Sequence, residues 1–122
     1  MLLDIHIDRL RIYARHGVLP QEQVVGADFY VSLLLRIEAD EKAIRHDDLS
    51  GTISYADVID TVRQEMQTAA RLLESVALRI GERLLERFPR IESLDIRIDK
   101  ENPPTGSQSD AVGVSLTLPQ KQ

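Results

Sequence analysis

The sequence predicts an α+β domain with the element order ββααββ, in which a four-stranded antiparallel sheet carries two helices on one face. Two segments in which apolar and polar residues alternate come first in the chain. Two segments with apolar residues at helical spacing follow, and two further alternating segments end the chain. The 122 residues suit a single domain, residues 1–122, whose core is modest, so self-association is expected.

The first two predicted strands are separated by a polar loop. Residues 3–14 alternate between apolar and polar side chains, with one slip at Arg9 that predicts a bent or bulged strand. Glycines and a proline within residues 16–26 predict a loop. Residues 29–38 alternate most clearly, with one apolar and one mostly polar face. The polar connector at residues 40–51 has only weak helical periodicity, and its charges are expected to face solvent.

Two amphipathic helices are predicted in the middle of the chain. Ser54 stands three residues before Asp57, an N-cap signature, and apolar residues then recur at helical spacing over residues 55–70. A second apolar stripe covers residues 73–88 and ends at Pro89. Together the two helices can cover one face of the sheet.

The last two predicted strands enclose a loop that begins with a lysine. Residues 94–99 and 112–118 alternate between apolar and polar side chains. Lys100 ends the first of these strands, and two prolines soon follow it. The amine therefore lies at a junction between strand and loop, where a rigid scaffold can present it for chemistry.

Composition excludes several classes of function. The net charge of −5 is spread along the chain, so no basic face is offered to nucleic acid or to an anionic membrane. The chain has no cysteine, and the spacing of its three histidines, His6, His16 and His46, is not that of a metal site. No signal peptide or membrane-spanning run is recognised. These features predict a cytoplasmic protein without a bound metal.

Four segments form a specific combination of motifs in this order and spacing: His16-Gly17 with Glu22 and Gly26, Thr52 to Val58, Leu72-Leu73-Glu74, and Lys100 to Pro104 leading to Val112-Gly113-Val114. Together they resemble the dihydroneopterin aldolases, which join subunits of the tunnelling fold into rings. The resemblance extends from about Leu3 to Leu118. It implies a homotetramer or a homo-octamer.

The resemblance also implies the reaction. Members of the family cleave 7,8-dihydroneopterin by a retro-aldol reaction into glycolaldehyde and 6-hydroxymethyl-7,8-dihydropterin, a step of folate synthesis. An aldol cleavage needs a place for electrons to go, which other aldolases provide with a lysine Schiff base or a zinc ion. Dihydroneopterin carries its own imine beside the side chain. No cofactor is therefore expected.

Three residues match catalytic positions of the family. Lys100 would act in proton transfer at the side-chain hydroxyl and the ring nitrogen. Tyr55 would reach a site shared between neighbouring subunits and help to protonate the enol-like intermediate. Glu22 would hold the side-chain hydroxyls and a water molecule. Each residue alone has a plainer explanation as a surface lysine, a half-buried aromatic residue or a loop carboxylate.

Further matches imply the pterin pocket. Glu74 would accept two hydrogen bonds from the amino group and the adjacent N–H of the ring. Backbone groups of Ile53, Ser54 and Leu73 would complete the pocket. The chain departs from the family pattern at Ala27, where a glutamine is common, and at residues 106–109, a more polar loop. These departures affect the shape of the pocket, not the class of reaction.

Three alternatives stay open at this point. The first is an epimerase of the same fold that acts on dihydroneopterin triphosphate, for which the nearby cations Arg15, Arg71 and Lys100 offer thin support. The second is a pterin-binding module without catalysis, and the third is a ring-forming structural domain. The aldolase is favoured, and side-chain epimerisation would need the same residues, because the released aldehyde can add back to the opposite face.

Overall fold

A computed structural model describes residues 1–101 and 111–121 of the chain and confirms the predicted fold class. The strands are β1 (Leu2–Ala14), β2 (Ala27–Glu38), β3 (Ile91–Glu101) and β4 (Ala111–Pro119), and the helices are α1 (Pro20–Val25), α2 (Glu41–Arg45), α3 (Tyr55–Met66) and α4 (Leu73–Arg87). The four strands form one antiparallel sheet in the order β1-β2-β3-β4. The predictions about the two prolines and the polar loop at residues 106–109 lie outside the described residues.

The core lies between one face of the sheet and the two long helices. Every second residue of β2 and β3 points to this face and is buried, and the apolar stripes of α3 and α4 pack against it. The buried residues include Val31, Leu33, Leu35, Ile37, Leu94, Ile96, Ile98, Val58, Val62, Met66, Val76, Ile80 and Leu84. The alternating and helical patterns in the sequence therefore correspond to one shared core.

The predicted irregularity in β1 is a β-bulge. Ile7 pairs with Leu33 and Leu10 pairs with Val31, so β1 has one residue more than β2 between these two pairs. Arg9 adopts a positive φ of 51° there, and its backbone N–H donates to Ser32 Oγ at 3.0 Å. The apolar residues on both sides of the bulge consequently keep facing the core.

Two short helices lie in segments without a clear helical pattern. The predicted loop at residues 16–26 contains α1, and the polar connector contains α2 and a 3₁₀ turn at Leu49–Gly51. Asp40 caps α2 by accepting hydrogen bonds from the N–H groups of Lys42 and Ala43. Both helices are short and expose most of their side chains, so neither produces an apolar stripe that sequence periodicity could detect.

The boundaries of α3 also differ from the prediction. Ser54 does occupy the N-cap position, but its side chain makes no capping hydrogen bond, so the capping signature was wrong in its chemistry. The helix ends at Met66 and not near residue 70. Arg79 of α4 donates to the carbonyl oxygens of Glu65 and Thr68, which satisfies backbone acceptors at this end of α3.

In the described part of the chain, the other face of the sheet carries no helix, and it is mostly polar, as the pattern of β2 predicted. Arg36 forms an ion pair with Asp95 across β2 and β3 at 2.8 Å, and Arg97 pairs with Asp99 at 2.8 Å. None of the helices in the described part of the chain has both the length and the hydropathy that crossing a bilayer requires.

Candidate active site

A cavity of about 440 Å³ opens where the β1–α1 loop meets the first turn of α4 and the end of β3. Its walls include Gly17, Leu19, Glu22, Phe29, Leu72, Leu73, Glu74, Lys100 and Val112. The strand β3 brings Lys100 to the cavity because residues 94, 96, 98 and 100 share the core-facing side of the sheet. The cavity therefore continues the apolar core and ends in charged groups.

Lys100 and Glu22 form an ion pair inside this cavity. Lys100 Nζ donates to Glu22 Oε2 at 2.6 Å, and the two side chains are only 13% and 17% exposed. Lys100 stands opposite Phe29 in the β2–β3 register, and its Nζ lies 5.8 Å from the centre of the phenyl ring. The hydrogen bond from Lys100 lowers the pKa of Glu22, and burial opposes this effect.

Local structure in α1 fixes the position of Glu22. Pro20 follows the N-cap residue Leu19, and Glu22 Oε1 accepts a hydrogen bond from the Leu19 backbone N–H at 3.1 Å. The side chain then folds back over Gly17, where a Cβ atom would lie 2.5 Å from Glu22 Cδ. Only glycine leaves room for the carboxylate in this orientation.

His16 joins the β1–α1 loop to the connection between α3 and α4. Its Nδ1 accepts a hydrogen bond from the Ala70 N–H at 3.1 Å, and the Gly17 N–H donates to the Ala70 carbonyl at 2.9 Å. We call these two bonds the His16–Ala70 clamp. His16 is 1% exposed and packs edge-on against Phe29. Burial, together with the charge of Arg79, lowers the pKa of His16 to about 4, so the ring is neutral near pH 7.

Glu74 lies in the first turn of α4 and faces the cavity. The side chain is exposed, and no described residue forms an ion pair with it. The N-terminal end of a helix favours a negative charge. Its carboxylate therefore offers two hydrogen-bond acceptors to a ligand.

The other predicted site residues lie elsewhere. Ile53 and Ser54 line a separate surface depression beside the C-terminal end of α4, and Tyr55 is 67% exposed at the start of α3. Within one chain, the structure thus brings together Glu22, Leu73, Glu74 and Lys100, and leaves out Ile53, Ser54 and Tyr55.

Some cavity residues had not been predicted as site residues. Phe29 and Val112 pair with Lys100 from the two neighbouring strands, which the sequence could have indicated if the strand register had been known. Leu19 and Leu72 supply further apolar walls. Nothing in the sequence pattern indicates that Ala70 is the partner of His16.

Comparison with known proteins identifies the family. A sequence model of dihydroneopterin aldolases matches residues 5–117. The dihydroneopterin aldolase of Methylorubrum extorquens is 40% identical over 114 residues, which span 92% of this chain and 86% of the relative. That of Streptococcus pyogenes serotype M6 is 37% identical over 113 residues, with 92% and 94% covered. The chain belongs to the dihydroneopterin aldolase family.

A solved structure supports the same assignment. The dihydroneopterin aldolase of Escherichia coli, crystallised with neopterin, superposes with a TM-score of 0.81 at 28% identity and covers 94% of this chain and 97% of its own. The tunnelling fold expected from the resemblance is thereby confirmed, and so are the aldolase class and its place in folate biosynthesis. The epimerase and the non-catalytic binding module are not favoured.

Proposed function

We propose that this protein binds the pterin ring of dihydroneopterin through Glu74 and cleaves the side chain with Lys100 and Glu22, while Tyr55 reaches the site from a neighbouring subunit. The observation that carries the proposal is the Lys100–Glu22 ion pair, 2.6 Å long and largely buried, in the same cavity as the carboxylate of Glu74, which forms no ion pair with a described residue. A cavity of about 440 Å³ suits one small flat ring system with a short side chain.

Glu74 matches the hydrogen-bonding edge of a pterin. The ring presents an exocyclic amino group and an adjacent N–H on one edge, and a carboxylate can accept both hydrogen bonds at once. The apolar side chains of Leu19, Leu72 and Leu73 would contact the flat faces of the ring. Glu74 is thus assigned the binding of the ring, with backbone groups of Leu73 beside it.

Lys100 and Glu22 suit the side-chain end of the substrate. Cleavage begins when a base removes the proton of a side-chain hydroxyl, and the electrons of the broken carbon–carbon bond pass into the ring imine. Glycolaldehyde leaves, and protonation of the enol-like intermediate yields 6-hydroxymethyl-7,8-dihydropterin. A lysine and a carboxylate in contact can hold the hydroxyls and move these protons, a contribution of about 10²–10⁴-fold to the rate.

Tyr55, Ile53 and Ser54 need another subunit to take part. They lie beside the C-terminal end of α4, whereas Glu74 lies at its beginning. A ring of identical subunits, either a homotetramer or a homo-octamer, would bring this surface to the cavity of a neighbour. The edge strands β1 and β4, which pair on one side only within the described residues, support such an assembly. We further propose that the enzyme works in the cytoplasm.

The charges of the cavity favour a substrate without phosphate groups. Of the described wall residues, Lys100 and Arg71 carry positive charge, and Lys100 is paired with Glu22. A triphosphate needs several unpaired cations. The same residues would also allow the side chain to be epimerised when glycolaldehyde adds back before it leaves.

The test is incubation with 7,8-dihydroneopterin, followed by chromatography of the products, for the wild type and for Lys100→Ala. Lys121→Ala is the matched control, because Lys121 is exposed and pairs with Glu82 away from the cavity. We expect 6-hydroxymethyl-7,8-dihydropterin from the wild type and the control, and a loss of about 10²-fold or more in kcat for Lys100→Ala. Equal rates for all three proteins would disprove the role of Lys100.

A further inference from the structure

We propose that His16 is a positioning residue that fixes the spacing between the two carboxylates of the cavity, Glu22 and Glu74. The inference rests on the proposed function, in which Glu22 meets the side chain of the substrate and Glu74 meets its ring. These two residues lie on different segments of the chain, and the His16–Ala70 clamp connects those segments.

On one side of the clamp, the backbone of the β1–α1 loop determines where Glu22 lies. Gly17 donates to Ala70 through its N–H, and the Glu22 side chain rests directly on Gly17. In addition, Gln23 donates to the Gly17 carbonyl at 3.0 Å, which ties α1 to the same residue. A shift of Gly17 would therefore move the carboxylate of Glu22.

On the other side, Ala70 lies only four residues before Glu74. The bond from the Ala70 N–H to His16 Nδ1 restrains the segment that enters α4, and this entry sets the direction of its first turn. Since both bonds of the clamp meet at Ala70, the loop and the start of α4 are held as one unit.

The chemistry of His16 makes it suited to this task. Because Nδ1 accepts a hydrogen bond, the neutral ring carries its proton on Nε2, which is buried and makes no well-formed hydrogen bond to a described residue. The charged group that faces it is Arg79 of α4, which is itself paired with Glu65 of α3 at 3.2 Å.

Spacing matters only to a ligand that touches both carboxylates. Neopterin has a ring for Glu74 and hydroxyls for Glu22, whereas pterin has the same ring and no side chain. Loss of a hydrogen bond to a charged carboxylate lowers affinity by about tenfold or more. Loosening the clamp should accordingly lower the affinity for neopterin and leave the affinity for pterin almost unchanged.

The experiment compares His16→Asn with His16→Gln by titration calorimetry of neopterin and pterin. The Asn carbonyl oxygen can occupy the position of Nδ1, whereas the longer Gln side chain carries its polar atoms further out, near the position of Nε2. We expect the preference for neopterin over pterin to fall about tenfold or more in His16→Gln and to stay near the wild-type value in His16→Asn. Steady-state kinetics should show a matching loss of kcat/KM in His16→Gln alone.

The outcomes separate this inference from the proposed function. A wild type that binds the two ligands equally would overturn the role of Glu22 and the inference with it. If His16→Gln keeps the wild-type preference for neopterin, or loses affinity for both ligands equally, the role of His16 is wrong and the proposed function still stands. If His16→Gln does not fold, ¹⁵N NMR of the wild-type ring decides, because a proton on Nδ1 near pH 7 would rule out the clamp.

Discussion

The cavity around Lys100 and the surface around Tyr55 differ in how much of a site one chain can build alone. The cavity contains an ion pair, a further carboxylate and the clamp that joins their segments. The surface around Tyr55 presents an exposed phenol and a depression lined by Asp57 and Arg87, between which the described residues form no buried ion pair. The 15 residues of α4 separate the two regions by roughly 20 Å. Only a second subunit can bring them together.

The largest expected effect comes from mixing two inactive variants. Lys100→Ala and Tyr55→Phe should each lose about 10²-fold or more in kcat, because each removes a proton-transfer group. When subunits of the two variants exchange, about a quarter of the shared sites in a random mixture contain both intact residues. The measured activity should rise accordingly after co-refolding.

A second mixture is the control for this experiment. Lys100 and Glu22 belong to the same cavity of one chain, so Lys100→Ala mixed with Glu22→Gln cannot restore a complete site. Recovery in both mixtures, or in neither, would contradict the assignment of Tyr55 to the cavity of a neighbouring subunit.

A smaller effect is expected at the ring-binding end. Glu74→Gln removes the charge and one of the two acceptors that face the ring, and hydrogen bonds to a charged group contribute about 1.5–3 kcal/mol. The affinity for pterin should fall about 10–100-fold in a calorimetric titration. Glu86→Gln, near the other end of α4, is the control and should bind pterin as the wild type does. A similar loss in both variants would indicate a general effect on the helix.

The pH dependence of stability should also report on His16, which lies at the wall of the cavity. The pKa of His16 is lowered from 6.5 to about 4 by folding, so the unfolded chain binds more protons between these values. The free energy of unfolding should therefore fall as pH drops from 6.5 towards 4, by roughly 3 kcal/mol for this residue. Denaturant titrations at several pH values would measure it.

Two variants isolate the contribution of His16 from that of Glu22. In His16→Asn, the free energy of unfolding should no longer fall between pH 6.5 and 4.5. The control His6→Asn, on the polar face of the sheet, should show the same fall as the wild type. Glu22 acts at lower pH, because its lowered pKa gives stability that is present above about 4.5 and is lost as pH falls through the lowered value. An unchanged slope in His16→Asn would show that the ring is not the titrating group.

The smallest effect is expected for the stability of Tyr55→Phe. Because Tyr55 is exposed and its hydroxyl makes no hydrogen bond to a described residue, the free energy of unfolding should change by less than about 0.5 kcal/mol. Met66→Ala, at a fully buried position, should cost about 2–5 kcal/mol in the same chemical denaturation. A loss above 1 kcal/mol for Tyr55→Phe would mean that the phenol packs within its own chain.

The sequence predicted what depends on periodicity and missed what depends on short-range hydrogen bonds. The alternation around Arg9 predicted the bulge, and the apolar stripes predicted α3 and α4 because burial of a whole face leaves a periodic pattern. The helix α1 was missed because a proline and the Glu22–Leu19 hydrogen bond stabilise it without a buried face.

The candidate site likewise contains residues that the sequence predicted and contacts that it did not. Motif matches named Lys100, Glu22 and Glu74, and these residues do meet in one cavity. No local pattern records the partner of His16, because Ala70 is 54 residues away and contributes only backbone atoms. Nor can a pattern in one chain tell whether Tyr55 serves its own cavity or that of a neighbour.

The bulge at Arg9 changes the curvature of the sheet without changing which residues of β1 face the core. A β-bulge bends its strand and increases the local twist, and here it adds a single residue between the Ile7 and Leu10 pairs. Deleting Arg9 would give a regular ladder in which the core-facing residues of β1 still face the helices; these are Leu3, Ile5, Ile7, Leu10, Ile12 and Ala14. Deletion of Arg9 would therefore reduce the curvature of the sheet by protein engineering, while the residues of the core stay the same.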